Sequence, residues 1–470
     1  QCCRDCGSEG HGALWKKGLR RAFKMKILVL NCGSSSAKYM VYDWDEKKIM
    51  CKGIVERVTI GGSFCKHEVT GRDEVKIDRE CPTHKEAVQL ILELLVSPEH
   101  GVLKDVKEIN AVGHRVVHGG ERFAKSVIID DEVLTAFKEI QDLAPLHNPA
   151  NILGIEAAMS ILPNVPHMAV MDTAWHQTMK PPQFMYAIPY EWYEKYKVRR
   201  YGFHGTSLLY VAKRAAVLLG RDPFDVNLIL LHVGNGVSAN AVKKGVSFDT
   251  SMGFTPLEGL VMGTRAGDHD AALGYYMMQK LDLTAKDMET IFNKKSGLLG
   301  ITGQYTDRRD VLEAMKKGDE RAELAFEMEC YRLKKYIGAY AAALGGVDAI
   351  VWTAGVGEMS PDIRARSMEG LEFMGIKFDP EKNSLACTRN SESDISAPDS
   401  KVKIFVIPTD EELVFVEDVV ALLENRYDVH TNFKYSFEDP GYRNRLRDEQ
   451  FAKELEKNPE KAKAVAKIPG

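Results

Sequence analysis

The hydrophobic positions of this chain fall into short strand-like runs that end in polar turns, and one such arrangement occurs twice. Ile27 to Leu30 is a run of strand-forming apolar residues that empties into Asn31-Cys32-Gly33-Ser34-Ser35-Ser36 and returns through the alternating stretch Lys38 to Asp43. In the second half Leu228 to Leu231 empties into His232-Val233-Gly234-Asn235-Gly236-Val237-Ser238, and a further strand ends near Thr250. Glycine allows close backbone approach, Ser and Asn offer hydrogen bonds, and a tight hairpin aims amide N–H groups at one spot, which a phosphate chain requires. Either hairpin alone reads equally well as an ordinary polar turn. Their repetition points to two duplicated domains gripping one phosphorylated ligand.

Between and after the hairpins the pattern alternates between strand and helix. A third strand is expected near Ile49 to Val55, a helix capped by Thr83 over His84 to Leu95, and a strand from Ala111 to Val117 running into His118-Gly119-Gly120. Helices follow over about Asp131 to Leu143 and from Asn148-Pro149, then the apolar strand His167 to Met171, which ends at Asp172. Thr206-Ser207 is expected to cap a helix running to Leu219. Helical stretches cover Ala271 to Leu281, Ala285 to Asn293 and Glu320 to Leu344; the strand Val347 to Trp352 empties into the glycine turn Thr353 to Glu358. Val402 to Ile407 is the last strand, and Asp410-Glu411-Glu412 starts a helix to about Leu423. Strand-rich openings followed by alternating helices in both halves predict two α/β domains with mixed sheets and a cleft between them.

A chain of 470 residues is too long for one core, which agrees with a duplication. The formal charge of -4, with both signs well mixed, gives no electrostatic footprint for nucleic acid or an anionic membrane, and no apolar run is long enough to span a bilayer. Nine cysteines, mostly scattered singly, suit reduced thiols in a cytoplasmic protein. Residues 1–24 read as an extension, expected to be disordered. Cys3, Cys6 and His11 lack the second ligand pair of a zinc site, and Asp5, Glu9 and the absence of a starting Met argue against a clean transit peptide. Residues 427–470, charged and poor in apolar side chains, read as a partly helical, solvated tail.

Several strings in order resemble the acetate kinase family, within the wider superfamily of sugar kinases, heat-shock chaperones and actin. They are Asn31 to Ser36 with Lys38, Gly113 to Gly120, Leu143 to Pro149, Arg200 to Ser207, Asp249 to Asp268, Ser296 to Gly303 and Thr409 to Glu412. The resemblance covers about Met25 to Leu423. It implies two duplicated actin-like (ribonuclease H-like) domains around a central nucleotide cleft. Residues 25–174 with a C-terminal helix at about 410–425 would form one domain, residues 175–409 the nucleotide-binding one. No Gly-x-x-x-x-Gly-Lys-Ser/Thr loop and no protein-kinase signature occurs, so nucleotide recognition must rest on the hairpins and glycine turns.

Moving a phosphoryl group between a carboxylate and ADP gathers negative charge, so catalysis is mainly positioning and charge neutralisation by arginines, a donor such as His, and Mg²⁺. Arg115 and Arg265 sit in glycine-rich contexts that suit a phosphoryl clamp, although each alone could be a surface ion pair. The resemblance implies that Arg115 binds the substrate's carboxylate or phosphoryl group, that Arg265 and His204 stabilise the phosphoryl in flight, and that Asp172 is the catalytic acidic residue. Because a carboxylate substrate is already ionised, an electrostatic and metal-positioning role suits Asp172 better than that of a base. The resemblance further implies Mg²⁺, or alternatively Mn²⁺, at Asn31 and Glu411. Lys38, His232, Val233, Gly234, Asn235, Gly236, Asp307, Arg308, Arg309, Gly355, Val356, Gly357, Glu358 and Met359 would contact ATP or ADP. Val117, Leu146, His147, Phe203 and Pro256 would receive acetate or acetyl phosphate, and a homodimer is implied.

Three positions depart from the family pattern. Leu208 stands where a His is usual, Ala266 where a Ser is usual, and Met359 where an Asn is usual near the adenosine. A small apolar pocket separates acetate from propionate weakly, since a methylene is worth about 1 to 3 kcal/mol. Propionate kinase, a pyrophosphate-dependent relative and, in a different class, a nucleotide-responsive scaffold that closes on ATP therefore stand as alternatives.

Overall fold

The structure, a computed structural model, describes residues 25–145 and 147–469. The extension expected at residues 1–24 and the substrate-pocket candidate Leu146 lie outside the described residues. Contacts divide the chain into two compact units, one running up to His114 and including Leu153–Met168, the other Arg115–Ile152 with Ala169–Gly470.

The first unit opens as the hydrophobic pattern predicts. Strands β1 (Lys26–Gly33), β2 (Ser36–Asp43) and β3 (Lys48–Glu56) form an antiparallel meander, extended by β4 (Phe64–Val69) and β5 (Val75–Asp78). On the other side of β1 lies β6 (Ile109–Val116), parallel to it. From Tyr39 onward β2 is buried on both faces, so the alternation expected for Lys38 to Asp43 gives way to a continuously covered strand. The helix His84–Leu95 begins at Thr83 with a reciprocal Thr83–Glu86 capping box and packs its apolar face into the cluster around Leu28, Val41 and Val112.

The second unit repeats the order. After β7 (Val127–Ile128) and β8 (His167–Met171), which straddles the boundary between the units, β9 (Asn227–Val233), β10 (Val237–Lys243) and β11 (Val246–Thr250) form the same antiparallel meander. Two further strands, β12 (Ala349–Thr353) and β14 (Lys403–Val406), lie parallel to β9, with the short β13 (Ser393–Asp394) at the edge. The central strands β9 and β12 are buried on both faces, which is why they read as unbroken apolar runs. Both sheets thus contain an antiparallel three-strand meander whose first strand has a parallel neighbour on its far side, the mark of duplication expected from the hairpins.

Three local expectations are corrected. The helix Gly205–Leu219 begins one residue ahead of Thr206, with His204 at its N-cap in the left-handed region (φ 61°), and neither Thr206 nor Ser207 caps it. The glycine turn after β12 is a short helix, Ala354–Met359. The solvated tail is only partly so. The helix Arg445–Lys457 carries no buried residue, but Phe433, Tyr435 and Phe437 are buried in one apolar cluster with Tyr210, Val414 and Ala421. Three aromatic rings were enough to anchor a segment whose average composition is polar.

Among the described residues no helix is long and apolar enough to cross a membrane. Because Phe437 is fully buried, Phe437→Ala is expected to destabilise the protein by about 3 to 5 kcal/mol. Urea titration followed by tryptophan fluorescence reads the change; an unshifted midpoint would restore the picture of a loose tail.

Candidate active site

Two strand ends deliver the first pair of candidate side chains. Arg115 sits near the end of β6 and Asp172 directly after β8, and the Asp172 amide donates to the Val116 carbonyl at 3.2 Å. Arg115 grips Asp172 with both prongs of its fork, Nε on Oδ1 at 2.9 Å and Nη2 on Oδ2 at 2.6 Å. The adjacent Asp172 carboxylate pushes the Arg115 pKa further up, so this guanidinium stays charged at every working pH. The Asp172 carbonyl also accepts the Gly205 amide at 3.0 Å. A Cβ on Gly205 would stand 2.2 Å from that oxygen, so only glycine fits at the first turn of the helix.

This close approach sets His204. Its Nδ1 lies 2.9 Å from the Ser238 hydroxyl, and its ring stacks on His232 with centroids 4.0 Å apart. His232 in turn holds the Ser207 hydroxyl with Nδ1 at 2.8 Å. Burial first, then His232, Arg115 and Arg265, hold the His204 pKa well below the ordinary imidazole value. Burial, followed by Arg115, brings His232 down to about 3. Both rings are therefore neutral at pH 7. With Nδ1 taken by Ser238, the Nε2 atom of His204 is left toward Gly236, where an added Cβ would stand 3.5 Å from it and 3.5 Å from Nη1 of Arg265.

Arg265 differs from the other buried or half-buried arginines of this unit. Arg199, Arg200, Arg214 and Arg308 hold Glu121, Glu258, Glu392 and Glu329, and Arg364 donates to four backbone carbonyls and the Asn383 amide. Arg265 gives Nη1 to the Pro256 carbonyl at 3.0 Å and to the Met262 sulfur at 3.5 Å, and among the described residues no carboxylate pairs with it. Burial lowers its pKa. A half-buried guanidinium with donors to spare has the chemistry to receive an anion. The His147 imidazole is lowered by burial and then by Arg265 and Arg115, against the opposing Asp172, which brings both arginines to one locale.

Around this locale Val117 and Phe203 belong to one buried apolar cluster. The Val117 amide donates to Asn151 Oδ1 at 3.0 Å, and Asn148 both accepts from the His118 amide and donates to its carbonyl. His118, lowered to about 3 by burial and Arg199, packs edge-on to Tyr201 and Phe203. Glu411 opens the helix Glu411–Leu423, with Asp410 as its N-cap, and accepts the Thr206 hydroxyl at 3.2 Å. Burial lifts its carboxyl to about 7; Asp172 and Glu412 add to this and Arg115 opposes. In the first unit Asn31 and Lys38 face each other across the β1–β2 hairpin.

The nucleotide candidates fall into two groups. In the sheet register Thr353 of β12 lies beside His232 of β9, so the turn Gly234-Asn235-Gly236 and the helix Ala354–Met359 leave the same sheet edge. Gly263 packs against that turn, its amide on the Asn235 carbonyl at 3.1 Å, and an added Cβ would meet the Asn235 side-chain oxygen at 2.1 Å. Ala354 takes φ 65° to start the short helix, and the buried Arg364 holds its other end through the Gly357 and Glu358 carbonyls. Val356 is half-buried, Glu358 buried and Met359 exposed. The second group is Asp307–Arg309. Asp307 caps the helix Arg308–Lys316 and pairs with the exposed Arg309, while the Arg308 guanidinium is turned inward onto Glu329 at 2.7 Å, leaving only its backbone for a ligand. Of the altered positions, Leu208 is fully buried in the apolar cluster of its helix, and Ala266 gives its amide to the Phe292 carbonyl.

Sequence reasoning did not find Asn148, Asn151, Ser207 as the partner of His232, or Arg364. Asn148 lay inside a string already noticed, whereas Asn151 falls just beyond it and a lone Arg364 on a helix carries no local signal. Among the described residues no group of three or more His, Cys, Asp or Glu gathers as a metal site. The oxygen donors near Glu411 suit a hard cation that keeps most of its shell for water and phosphate.

Residues 26–417 match the acetokinase family. The acetate kinase of Geobacter metallireducens is 62% identical over 413 residues, covering 88% of this chain and 98% of the relative. The crystal structure of Porphyromonas gingivalis acetate kinase superposes with a TM-score of 0.81 at 46% identity, over 85% of this chain and 100% of that one. A propionate kinase from Francisella tularensis gives 0.78 at 39% identity with 85% and 100% coverage. The chain belongs to the acetokinase family.

Proposed function

We propose that this protein is an acetate kinase, transferring the terminal phosphoryl group of ATP reversibly to acetate to give acetyl phosphate and ADP. The observation that carries the reading is Arg265, a half-buried guanidinium with no carboxylate partner among the described residues, beside the neutral His204 and in the same locale as the Arg115–Asp172 pair. An acetate oxygen forms the new bond to the γ-phosphorus as the bond to the bridging oxygen of ADP breaks, in line. No base is needed, because acetate arrives ionised. The work left to the protein is alignment and charge stabilisation.

In this reading Arg115, oriented by Asp172, binds the acetate carboxylate, and Arg265 takes the equatorial oxygens of the phosphoryl in flight. His204 donates from Nε2, with Ser238 holding the opposite nitrogen. Val117, Phe203, Pro256 and His147, with Leu146, surround the methyl group. The turn from His232 to Gly236, the segment Asp307–Arg309 and the helix Ala354–Met359 take the nucleotide, with Lys38 reaching its phosphates. Mg²⁺ would be held by Glu411 and Asn31, with Mn²⁺ as substitute, and would neutralise phosphate oxygens. The functional domains are residues 25–174 with the helix at about 410–425, and residues 175–409. A homodimer in the cytoplasm completes the proposal. Propionate is the second substrate to compare, since the apolar contacts around the methyl discriminate by only about 1 to 3 kcal/mol per methylene.

Hydroxylamine trapping checks the activity: acetate, ATP and Mg²⁺ should yield acyl hydroxamate, and none from the purified protein would sink the reading. Running acetate, propionate and pyrophosphate side by side ranks the alternatives. Arg265→Ala and Arg115→Ala should each lower kcat/KM by on the order of 10²-fold or more; near wild-type rates would contradict their roles.

The neutral histidines predict a pH response. His118 and His232 are held at about 3, His176 at about 4 and His204 lower than its ordinary value, all chiefly by burial. The unfolded imidazoles protonate near 6.5, so the stability they contribute is complete above that pH and is lost as pH falls toward the folded values. Each costs about 1.4 kcal/mol per pH unit in that window. Urea midpoints should therefore drop steadily from pH 6.5 to pH 5 while the His204 C2 proton resonance stays in place. A resonance moving with a midpoint near 6.5 would remove His204 as a neutral donor.

A further inference from the structure

The family model's match ends at residue 417, and side chains beyond it grip the backbone directly ahead of Glu411. Arg447 donates Nη1 to the Pro408 carbonyl at 2.8 Å and Nη2 to the Thr409 carbonyl at 2.6 Å, and lies 3.7 Å from the Asp410 carboxylate. Asn444 joins two helix starts. Its Oδ1 accepts from the Arg447 amide at the N-cap of Arg445–Lys457, and its Nδ2 donates to Asp410 Oδ2 at 3.1 Å. Asp410 Oδ1 meanwhile caps the Glu411 helix through the Leu413 amide at 3.1 Å. Three consecutive residues, 408 to 410, are thus held from one side by two neighbouring side chains.

The same segment is fastened along both helices that carry candidate catalytic groups at their N-termini. On the Glu411 helix, Glu417 accepts the Ser436 amide and hydroxyl, and Asp418 accepts the Tyr435 hydroxyl at 2.7 Å and lies 2.9 Å from His430 Nε2. On the helix begun by His204, Lys213 pairs with Glu438 at 2.8 Å and Arg214 donates to the Phe437 carbonyl at 2.6 Å. The two N-termini meet through Thr206 and Glu411.

We propose that residues 427–469 form a strap that orients Glu411 toward the metal–nucleotide complex, with Arg447 as the positioning residue through which it acts. The inference rests on the reading of Glu411 as a metal-holding residue. The anchors at Phe437, Glu417 and Asp418 are what packing a terminal segment requires. The grip at 408–410 goes further, because two carbonyl bonds and an N-cap fix the direction in which the next residue leaves. Arg447 also borders a cavity of about 500 Å³ with Tyr210, Pro408 and Tyr442, so truncating it enlarges an existing space and leaves the packed core in place.

The test uses the full chain and reads Mn²⁺ binding to the protein–ADP complex by electron paramagnetic resonance, beside the Mg²⁺ dependence of turnover and thermal melting. Arg447→Ala should weaken Mn²⁺ binding, and raise half-saturating Mg²⁺, by on the order of 10-fold. Arg447→Lys, which can reach one carbonyl only, should recover part of this, and Asn444→Ala should weaken binding in the same direction. Lys463→Ala, which removes an exposed pair with Glu381 on the same segment, should match the wild type. Wild-type Mn²⁺ affinity in Arg447→Ala overturns the proposal, whether or not melting is lowered; if that variant fails to fold, wild-type affinity in Arg447→Lys and Asn444→Ala overturns it equally. Absence of Mn²⁺ binding to the wild-type ADP complex also overturns it. A wild-type protein that binds Mn²⁺ with ADP but makes no acyl phosphate would sink the acetate kinase reading and leave the strap to be decided by the affinities alone.

Discussion

Arg115 leaves one strand, Asp172 leaves another, and the two-pronged bond between them fixes the geometry around which the rest of the site is arranged. The pair puts a permanent positive charge at the ends of two neighbouring strands while its counter-charge stays almost wholly buried behind it. The Asp172 backbone carbonyl receives Gly205, and the fit is so close that the chain must enter its helix through a left-handed residue. That residue is His204. Strain at this one position is what directs the imidazole toward Gly236 and Arg265, and over-determination by the helix, Ser238 and His232 is what keeps it there.

The distribution of partners among arginines separates structure from function more clearly than burial does. A buried guanidinium normally finds a carboxylate or a set of carbonyls, as Arg308 and Arg364 do, because leaving it unpaired is costly. Arg265, half-buried, is held by one carbonyl and a thioether, and lies beside His204 and Gly236. The same principle explains the neutral histidines: burial, with Arg115 and Arg265 near His204 and Arg115 near His232, keeps both rings uncharged.

The C-terminal segment shows how a polar composition can still carry a structural task. Its charged helix faces solvent, but three rings and a chain of buried polar contacts bind it to the helices that start at His204 and Glu411. Composition averages over a window and therefore misses a few large anchors spaced among charges.

What the linear chain determined by itself was local and repetitive. Period and turn chemistry marked the two hairpins, the Thr83 cap, the buried strand before Asp172 and the Asp410 cap ahead of Glu411, because each depends on neighbours within a few residues. The strings around Arg115, His204 and Arg265 were legible for the same reason. Tertiary structure alone decided which charges would be paired. Arg308 and Arg309 look equivalent in sequence, yet one is buried on Glu329 and the other exposed beside Asp307; Ser207 and Thr206 look like caps, yet hold His232 and Glu411. The pairings of Arg308, Ser207 and Thr206 depend on residues more than twenty positions away, brought within 3.2 Å by the packing of helices on a sheet, and no local pattern encodes them.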